Sequence, residues 1–522
     1  MDTKAFRQKI LDLAIRGKLV PQDPSDEPAS VLLERIREQK KQMVKEGKLK
    51  AKDIKNDTII FVGEDNLHYE KFQDGSMKCI EDEIPFELPE GWEWTRLGSL
   101  FSTITGSTPS TKDTSLYGDE YPFYKPTDLD AGFDVCFSED TVSEKGYKNG
   151  RILPVYSVLV TCIGATIGKT GYIRNSGICN QQINAILPNT FILPEYTYFC
   201  MCSEFEQQQI WTNSSATTLP ILNKSKFDSL FFPVPPKAQQ TRTVERIKEL
   251  LHFIEIIQQE KRTLQETIKL SKSKILDLAI RGKLVPQDPN DKPASVLLER
   301  IRAEKEELIK QGKIKRDKKE SVIFKGDDNS YYLRTGRVEE SLEDWRFDDL
   351  PETWKICCLG ELCDYGDCIN VNTEDIAEDA WILDLEDIEK DTGTVLKKVT
   401  KDQRNSVSTK HKFHSGQVLY SKLRPYLNKV VLSDADGYCT SEILPLEFKN
   451  CVLPEYARYY LMSGTFIAYA NHCSYGVKMP RLGTTDGKKA IFSLPPLSEQ
   501  KRIVETIDFC FVQLNKISEA LA

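Results

Sequence analysis

No run of about eighteen apolar residues occurs in the 522-residue sequence, so no segment reads as a membrane-spanning helix. The opening MDTKAFRQKI is polar where a secretory leader would be apolar, and a soluble, cytoplasmic chain is expected. Histidine is scarce. Of the five, His411 and His414 in KHKFH stand three apart without further ligands, which speaks against a metal site. None of the fourteen cysteines has a partner at the two-residue spacing of a zinc knuckle: Cys200 and Cys202 are too close, and Cys357 and Cys358 are adjacent. Free thiols in a reducing compartment are the expectation. A surplus of positive charge is missing too. Lys and Arg number 71 against 79 Asp and Glu, a net charge of -8, and a simple basic nucleic-acid binder would need the reverse.

What the sequence does have is the same text twice. KILDLAIRGKLVPQDP at residues 9–24 returns letter for letter at 274–289, and the likeness extends to residues 37 and 302 with changes only at Ser25/Asn290 and Glu27/Lys292. Both copies run on as Lys- and Glu-rich helix, EQKKQMVKEGKLK and AEKEELIKQGKIK. A second marker, LPEGWEWTRLG from Leu88, is echoed by LPETWKICCLG from Leu350. The third, FPVPPKAQQTRTVERI from Phe232, is echoed by FSLPPLSEQKRIVETI from Phe492. Marker order is the same in both halves, so the chain is an internal duplication. Its length calls for two or more domains of roughly 100 to 200 residues.

Between the second and third markers the halves diverge. Residues 88–235 and 350–495 share VL (Val158, Val418) and LPEY (Leu193, Leu453) and little else. Runs such as GRILPVYSVLVTCIG and GQVLYSKLRPYL, broken by Gly, Asn and Asp, read as short strands and turns with a few helices, so each segment is a mixed α/β globule. A constant frame carrying two variable globules implies that the frame meets a repeated partner while each globule meets something different; drift of one copy after duplication is the alternative.

The frame is helical. Leu250, Ile254, Ile257, Lys261, Leu264, Ile268, Ser271, Ile275 and Leu278 step by four and three, a coiled-coil seam with two polar interruptions. Residues 237–281 would make a rod of roughly 65 Å at about 1.5 Å per residue. Ile503, Ile507, Cys510, Leu514, Ile517 and Leu521 repeat the seam at the C-terminus, and Phe6, Ile10 and Leu13 carry it on at the N-terminus. By the repeat offsets the two chain ends, Met1 and Ala522, together supply one copy of the central helix. DPSDEPASVLLERI reads as a turn and a helix with Pro28 in its first turn, stopping near Gly47, and Gly312 takes the stop position in the second copy. The expected fold class is α+β: two mixed α/β domains separated by two long antiparallel coiled-coil helices in a pseudo-two-fold internal repeat. Simple mutual packing of the helices and an apolar stripe left open to partner helices both fit the seam.

KILDLAIRGKLVPQDP, LPEGWEWTRLG and LPPLSEQKRIV resemble the signatures of the specificity subunit of type I restriction-modification systems, and the resemblance covers essentially the whole chain. It implies two target-recognition domains, each reading one half of a split DNA site. Paired conserved helices would set the half-site spacing and dock two methyltransferase subunits. Those partners bind S-adenosylmethionine and modify one adenine in each half-site; two restriction subunits, working with Mg²⁺ and ATP, complete the nuclease where they are present. On this reading residues 1–87 are N-terminal helices and connector, 88–235 the first target-recognition domain and 236–349 the central helical spacer and connector. Residues 350–495 form the second domain, and 496–522 a helix pairing with the N-terminal one. The chain is then no enzyme and binds no cofactor itself. Its partners are double-stranded DNA and the methyltransferase subunits, with no membrane involved. A helical scaffold with two protein-binding globules is the competing class, and a DNA-processing nuclease a third.

The enzyme-like motifs are thin. GATIGKT, residues 164–170, has three residues between its glycines where a phosphate loop needs four, and the counterpart RPYLNKV from Arg424 has no glycine. A turn carrying Lys169 towards a DNA phosphate fits better, with Lys429 at the equivalent place. EFK, residues 447–449, with Asp436 upstream, matches a loose Mg²⁺-nuclease pattern, whereas the first half has LPN there. No NPPY or DPPY is present to orient an adenine amino group.

Reading DNA requires donors for base edges and cations for phosphates on loops held by a rigid core. In the first globule the candidates are Lys125 and Thr127 in YKPTDL, Thr166 and Lys169, and Asn180, Gln181 and Gln182, whose amides match adenine. The second offers Lys422, Arg424, Tyr426 and Lys429, then Ser441 and Glu442 opposite Gln181 and Gln182, then Lys478 and Arg481. Bracing by Arg424 and backbone satisfaction by NQQ are the structural alternatives. For partner binding the candidates are Leu13 and Arg16, their repeat equivalents Leu278 and Arg281, and Leu250, Ile254 and Leu264.

Overall fold

Residues 236–282 are bounded by Pro236 and Gly282 with neither residue type between them, and a single long helix fills the interval. In the computed structural model, which describes all residues except 1, 48, 52–53, 216–218, 314–320, 329, 343–349, 405–406 and 522, five helices make up the frame. They are α1 (Thr3–Ile15), α2 (Ala29–Lys45), α3 (Lys237–Ile280), α4 (Ala294–Lys310) and α5 (Leu497–Leu521). The chain divides into two units, Met1–Glu260 and Lys261–Ala522, with the boundary inside α3. The proposed equivalence of the chain termini rests on Met1 and Ala522 and so falls outside the described residues.

In the first unit, Ile10, Leu11, Ala14 and Ile15 of α1 and Leu32, Leu33 and Ile36 of α2 share one core with Val244, Ile247 and Ile254 of α3 and with the globule's Tyr196, Phe199 and Phe232. Each fully buried aliphatic side chain of this kind contributes about 1.5–3 kcal/mol. The helix α1 runs antiparallel to α3: Thr3 Oγ1 accepts from Gln258 Nε2 at 2.5 Å, and Arg7 pairs with Glu255 at 3.7 Å. In the second unit the remaining part of α3 meets α5 through Lys272 Nζ and Asn515 Oδ1 at 2.6 Å, the repeat-equivalent positions of Arg7 and Glu255. Leu276, Ala279 and Ile280 there join Leu298, Ile301, Ile503 and Ile507 in the corresponding core.

The invariant text builds one joint in each unit. Arg16 ends α1, and Gly17 follows with φ +64°, where an added Cβ would lie 2.4 Å from Pro89 Cγ; Gly282, φ +66°, meets Pro351 in the same way at 2.5 Å. Pro89 and Pro351 belong to the LPE markers, so helix end and globule entry touch at a point where no side chain fits. Gln22 Nε2 donates to the Gly17 carbonyl at 2.6 Å and its Oε1 accepts from Trp92 Nε1 at 2.9 Å. Closing the joint, Arg242 at the start of α3 forks onto the Asp26 carboxylate, and Arg502 at the start of α5 forks onto Asp291. The LPEY markers dock here as well: Gln240 Oε1 accepts from Leu193 N and Gln500 Oε1 from Leu453 N, both at 2.8 Å.

Each globule starts and ends on one antiparallel pair, Glu93–Arg96 with Phe231–Val234 and Lys355–Cys358 with Ile491–Leu494. Inside, a hairpin pairs its first strand with the strand before the LPEY helix: Val158–Thr161 with Ile183–Ile186, and Val418–Ser421 with Ile443–Leu446. A short parallel pairing recurs, Ile178 and Cys179 on Phe123 and Tyr124, Tyr438 and Cys439 on Ile382 and Leu383. Around it the globules differ. The first has three strands in that sheet, whereas the second has five because Lys410–Phe413 and Ile369–Val371 are added on the far side of Gly437–Thr440. A three-stranded sheet unanticipated by the sequence markers precedes each globule, with strands Ile59–Val62, His68–Lys71 and Met77–Cys79 in the first copy and Ser321–Lys325, Tyr331–Thr335 and Val338–Ser341 in the second.

The seam drawn along α3 is corrected in part. Ile254 and Ile268 are buried and Leu250, Ile275 and Leu278 half-buried, but Ile257 and Leu264 are 45% and 40% exposed, and Phe6 is 52% exposed. The buried face is set by Val244, Ile247, Leu276, Ala279 and Ile280, which turn towards each unit's own globule core instead of along one continuous stripe.

The joint makes two predictions. Gly17→Ala should lower the unfolding free energy by about 2–4 kcal/mol, whereas Gly47→Ala, at φ +72° but with open space around it, should lower it by about 1 kcal/mol, both read by urea titration. In the second joint Glu499 replaces the first unit's Gln239. It is fully buried and accepts from Trp354 Nε1 at 2.9 Å and Gln287 Nε2 at 2.6 Å. Burial holds its carboxyl above the ordinary 4.5, so the folded chain binds that proton more tightly than the unfolded one and stability falls as pH rises through and above 4.5. Glu499→Gln should therefore match the parent below pH 4.5 and be the more stable near neutrality in parallel melts across pH.

Candidate nucleic-acid interface

Three segments of each globule are laced by the same main-chain hydrogen bonds. In the first unit the hairpin turn 162–169 links Val158–Thr161 to Thr170–Tyr172; Gly164 N donates to Pro220 O at 3.0 Å, Leu222 N to Cys162 O at 2.8 Å, and Cys162 N to Gln182 O at 2.7 Å. Every one of these recurs at a constant offset: Arg424 N to Pro480 O at 2.7 Å, Leu482 N to Lys422 O at 3.0 Å, and Lys422 N to Glu442 O at 3.0 Å. The hairpin turn, the tight turn at 180–182 (440–442 in the second unit) and the outer loop at 219–222 (479–482) therefore form one surface on a hydrogen-bonded scaffold, with the side chains free to differ. The turn at GATIGKT leads into a strand, not a helix, so it lacks the helix N-terminus of a phosphate loop.

The sequence candidates of the first unit meet on this surface. Thr166 is exposed at the tip of the hairpin turn, and Asn180 N bonds Tyr124 O at 3.1 Å, which brings Lys125 and Thr127 beside the tight turn. Several are already engaged. Lys125 pairs with Asp140 at 2.6 Å and Lys169 with Asp130 at 2.7 Å. Asn180 is buried, accepting from Gln182 N at 3.1 Å and donating to Gln182 Oε1 at 3.0 Å, and Gln181 Oε1 accepts from Thr108 Oγ1 at 2.5 Å.

In the second unit Lys429 Nζ donates to Leu385 O at 2.6 Å, and partial burial pushes its ammonium below the usual range. Arg481 clasps Glu442 through Nη2 at 2.8 Å and Nε at 3.1 Å. Ser441 and Lys478 are exposed, and Lys422 and Lys478 make no salt bridge among the described residues. Tyr426 stands 50% exposed beside them. The nuclease-like carboxylates are separately employed: Glu447 pairs with His414 at 2.8 Å and Asp436 accepts from Ser415 N at 2.9 Å. Among the described residues no three His, Cys, Asp or Glu side chains are grouped to hold a metal, and no disulfide joins the cysteines.

Sequence reading missed the outer loop of the first globule, where Leu219 and Ile221 are 52% and 36% exposed near Trp211 at 53%. Apolar residues carry no charge signal. Their alignment with Met479 and Arg481 at the repeat offset would have found them. It also missed Thr108, whose loop is tied in by Ser107 N to Cys179 O at 2.8 Å. Of the partner candidates, Leu13 and Leu278 are half-buried, Arg16 pairs with Asp12 at 2.7 Å and stacks over Phe86, and Arg281 and Leu264 are exposed.

One frame presenting two differently furnished surfaces of the same lacing defines a two-site recognition protein. The family model described as "Type I restriction modification DNA specificity domain" matches twice, at residues 89–266 and 351–520. The chain belongs to that family. It is 27% identical to the type I restriction enzyme EcoAI specificity subunit of Escherichia coli over 98% of this chain and 90% of that one, and 26% identical to the EcoEI specificity subunit of the same organism over 99% and 90%. A solved structure described as "Structural basis underlying complex assembly and conformational transition of the type I R-M system" shares the fold with TM-score 0.52 at 17% identity, covering 84% of this chain and 94% of that one. Among the described residues no helix is long and apolar enough to cross a membrane.

Proposed function

We propose that this chain is the DNA-reading subunit of a type I restriction-modification complex, in which residues 88–235 read one half of a bipartite site and 350–495 the other. The observation that carries the reading is the pair of family matches lying on two loop surfaces of equal lacing and unequal side chains. Residues 1–87, 236–349 and 496–522 are the frame: paired helices in pseudo-two-fold repetition that dock two methyltransferase subunits and set the distance between half-sites. The antiparallel contacts of α1 and α5 with α3 support it. Methyl transfer and cleavage belong to partner chains, which bring S-adenosylmethionine, Mg²⁺ and ATP. Restriction subunits join where they are encoded, and the complex works in the cytoplasm.

Co-expression with the methyltransferase partner followed by adenine-methylation mapping tests the reading. A bipartite methylated motif is expected. Exchanging residues 88–235 for the globule of a relative should change one half of the motif and leave the other intact; change in both halves would defeat modular reading, and no methylated motif at all would favour the scaffold class. Because Lys125, Lys169 and Arg481 are paired within the chain and the net charge is -8, the chain alone should bind DNA weakly and tighten with its partner.

Exposure separates assembly from folding. Leu264→Asp, at a 40% exposed position, should leave the melting curve within about 0.5 kcal/mol of the parent yet weaken co-purification with the methyltransferase, whereas Ile254→Asp, at a buried one, should destabilise the chain itself by several kcal/mol, on the order of 3.

A further inference from the structure

Arg424 sits where an arginine is hardest to place. Its backbone is left-handed, φ 50° and ψ 65°, in a turn that the first unit builds with Gly164 at φ +99°. The hydrogen bonds around the two turns are the same, so the conformation belongs to the scaffold and glycine fits it without strain. The side chain adds a second cost. Its Nε is buried without a hydrogen-bond partner, and among the described residues no carboxylate pairs with the guanidinium. A brace would show the opposite, with a carboxylate on its guanidinium, as Arg481 has Glu442 and Arg404 has Asp387.

The surroundings say what the donors face. Arg424 lies in the laced surface beside exposed Tyr426, with Tyr475 62% exposed across the outer loop and Lys422 and Lys478 nearby in sequence and lacing. Arg481, the second arginine of this surface, is occupied by Glu442, and Lys429 by the Leu385 carbonyl. Arg424 is thus the planar two-pronged donor left unengaged. Such a fork matches the O6 and N7 acceptors of guanine in the major groove, the pairing that discriminates guanine from the other bases.

We propose that Arg424 reads a guanine edge in the half-site recognised by residues 350–495, and that the left-handed turn is kept because it aims this side chain. The inference rests on the reading of that segment as a DNA-reading domain. At the same place Gly164 offers no side chain, so the first half-site is read there by its neighbours alone.

The test uses the full chain assembled with its methyltransferase partner and duplexes carrying the mapped motif, with 7-deazaguanine replacing guanine one position at a time to remove N7. The parent complex should lose about tenfold in affinity at one guanine of the second half-site. Arg424→Gly should lose that sensitivity, methylate sites with any base pair at that position while keeping every other base, and unfold no lower than the parent because glycine takes the turn freely. Arg424→Asn, which also tolerates the left-handed backbone, should behave alike and guards against one variant failing to fold. Absence of a sensitive guanine in the parent, an unchanged motif in both variants, or an even weakening at all positions, the mark of a phosphate contact, would overturn the proposal. Failure of the underlying reading looks different: the parent complex would then leave no bipartite methylated motif.

Discussion

Two guanidinium–carboxylate forks, Arg242 on Asp26 and Arg502 on Asp291, hold each globule's point of departure to its point of return. Each pair spans more than two hundred residues of sequence and is backed by a glycine pressed against a proline, with the first and last strands of the globule zipped together beside it. With both ends fixed, the chain between them folds as a closed loop, and the parts of it that rest on the frame, the bracketing strands and the LPEY segment, recur in both units. That is why residues 9–37 and 274–302 are nearly identical while residues 88–235 and 350–495 share little.

The duplication, the helical frame and the mixed globules were legible because each rests on local text: repeated markers, long stretches without proline or glycine, and β-branched runs between turn residues. The seam was legible only as a list of apolar positions. Periodicity reports that Ile257 and Leu264 are apolar, but not that the buried face of α3 turns towards the globule cores at Val244, Ile247 and Ile280. Ion pairing was hidden for a similar reason. Asp130 lies far along the chain from Lys169 and Asp140 apart from Lys125, and only the fold brings each couple within 2.7 Å. The absence of glycine from RPYLNKV was readable, whereas its meaning, an arginine and an asparagine held at left-handed φ where the other half has Gly164 and Gly168, needed the backbone.

Charge is managed locally. The acidic balance of the whole chain does not extend evenly over the two laced loop surfaces: the first presents cations already neutralised by aspartates, the second leaves Lys422 and Lys478 without salt bridges among the described residues. Pre-paired cations hold their side chains in place at the expense of long-range attraction, an arrangement that favours discrimination at contact over capture from a distance. Burial of Glu499 follows the same preference for order over raw stability, since it fixes Trp354 and Gln287 by accepting two hydrogen bonds in a site that penalises its own ionisation.

The sameness of the two joints has a hereditary side. The pairs Arg242–Asp26 and Arg502–Asp291 stand at equivalent positions of the repeat although their neighbours differ at Ser25/Asn290, Glu27/Lys292 and Gln239/Glu499, so the closing contact is the same whichever globule it encloses. A joint that closes alike on both globules would let a lineage replace one globule by another through exchange of gene segments bounded by the repeats, given that the globule residues packed on the frame, Tyr196/Tyr456 and Phe232/Phe492, recur in both units. A changed surface would then arrive in one event on frame contacts that are already in place, where single substitutions would have to reach it by steps each of which must still fold.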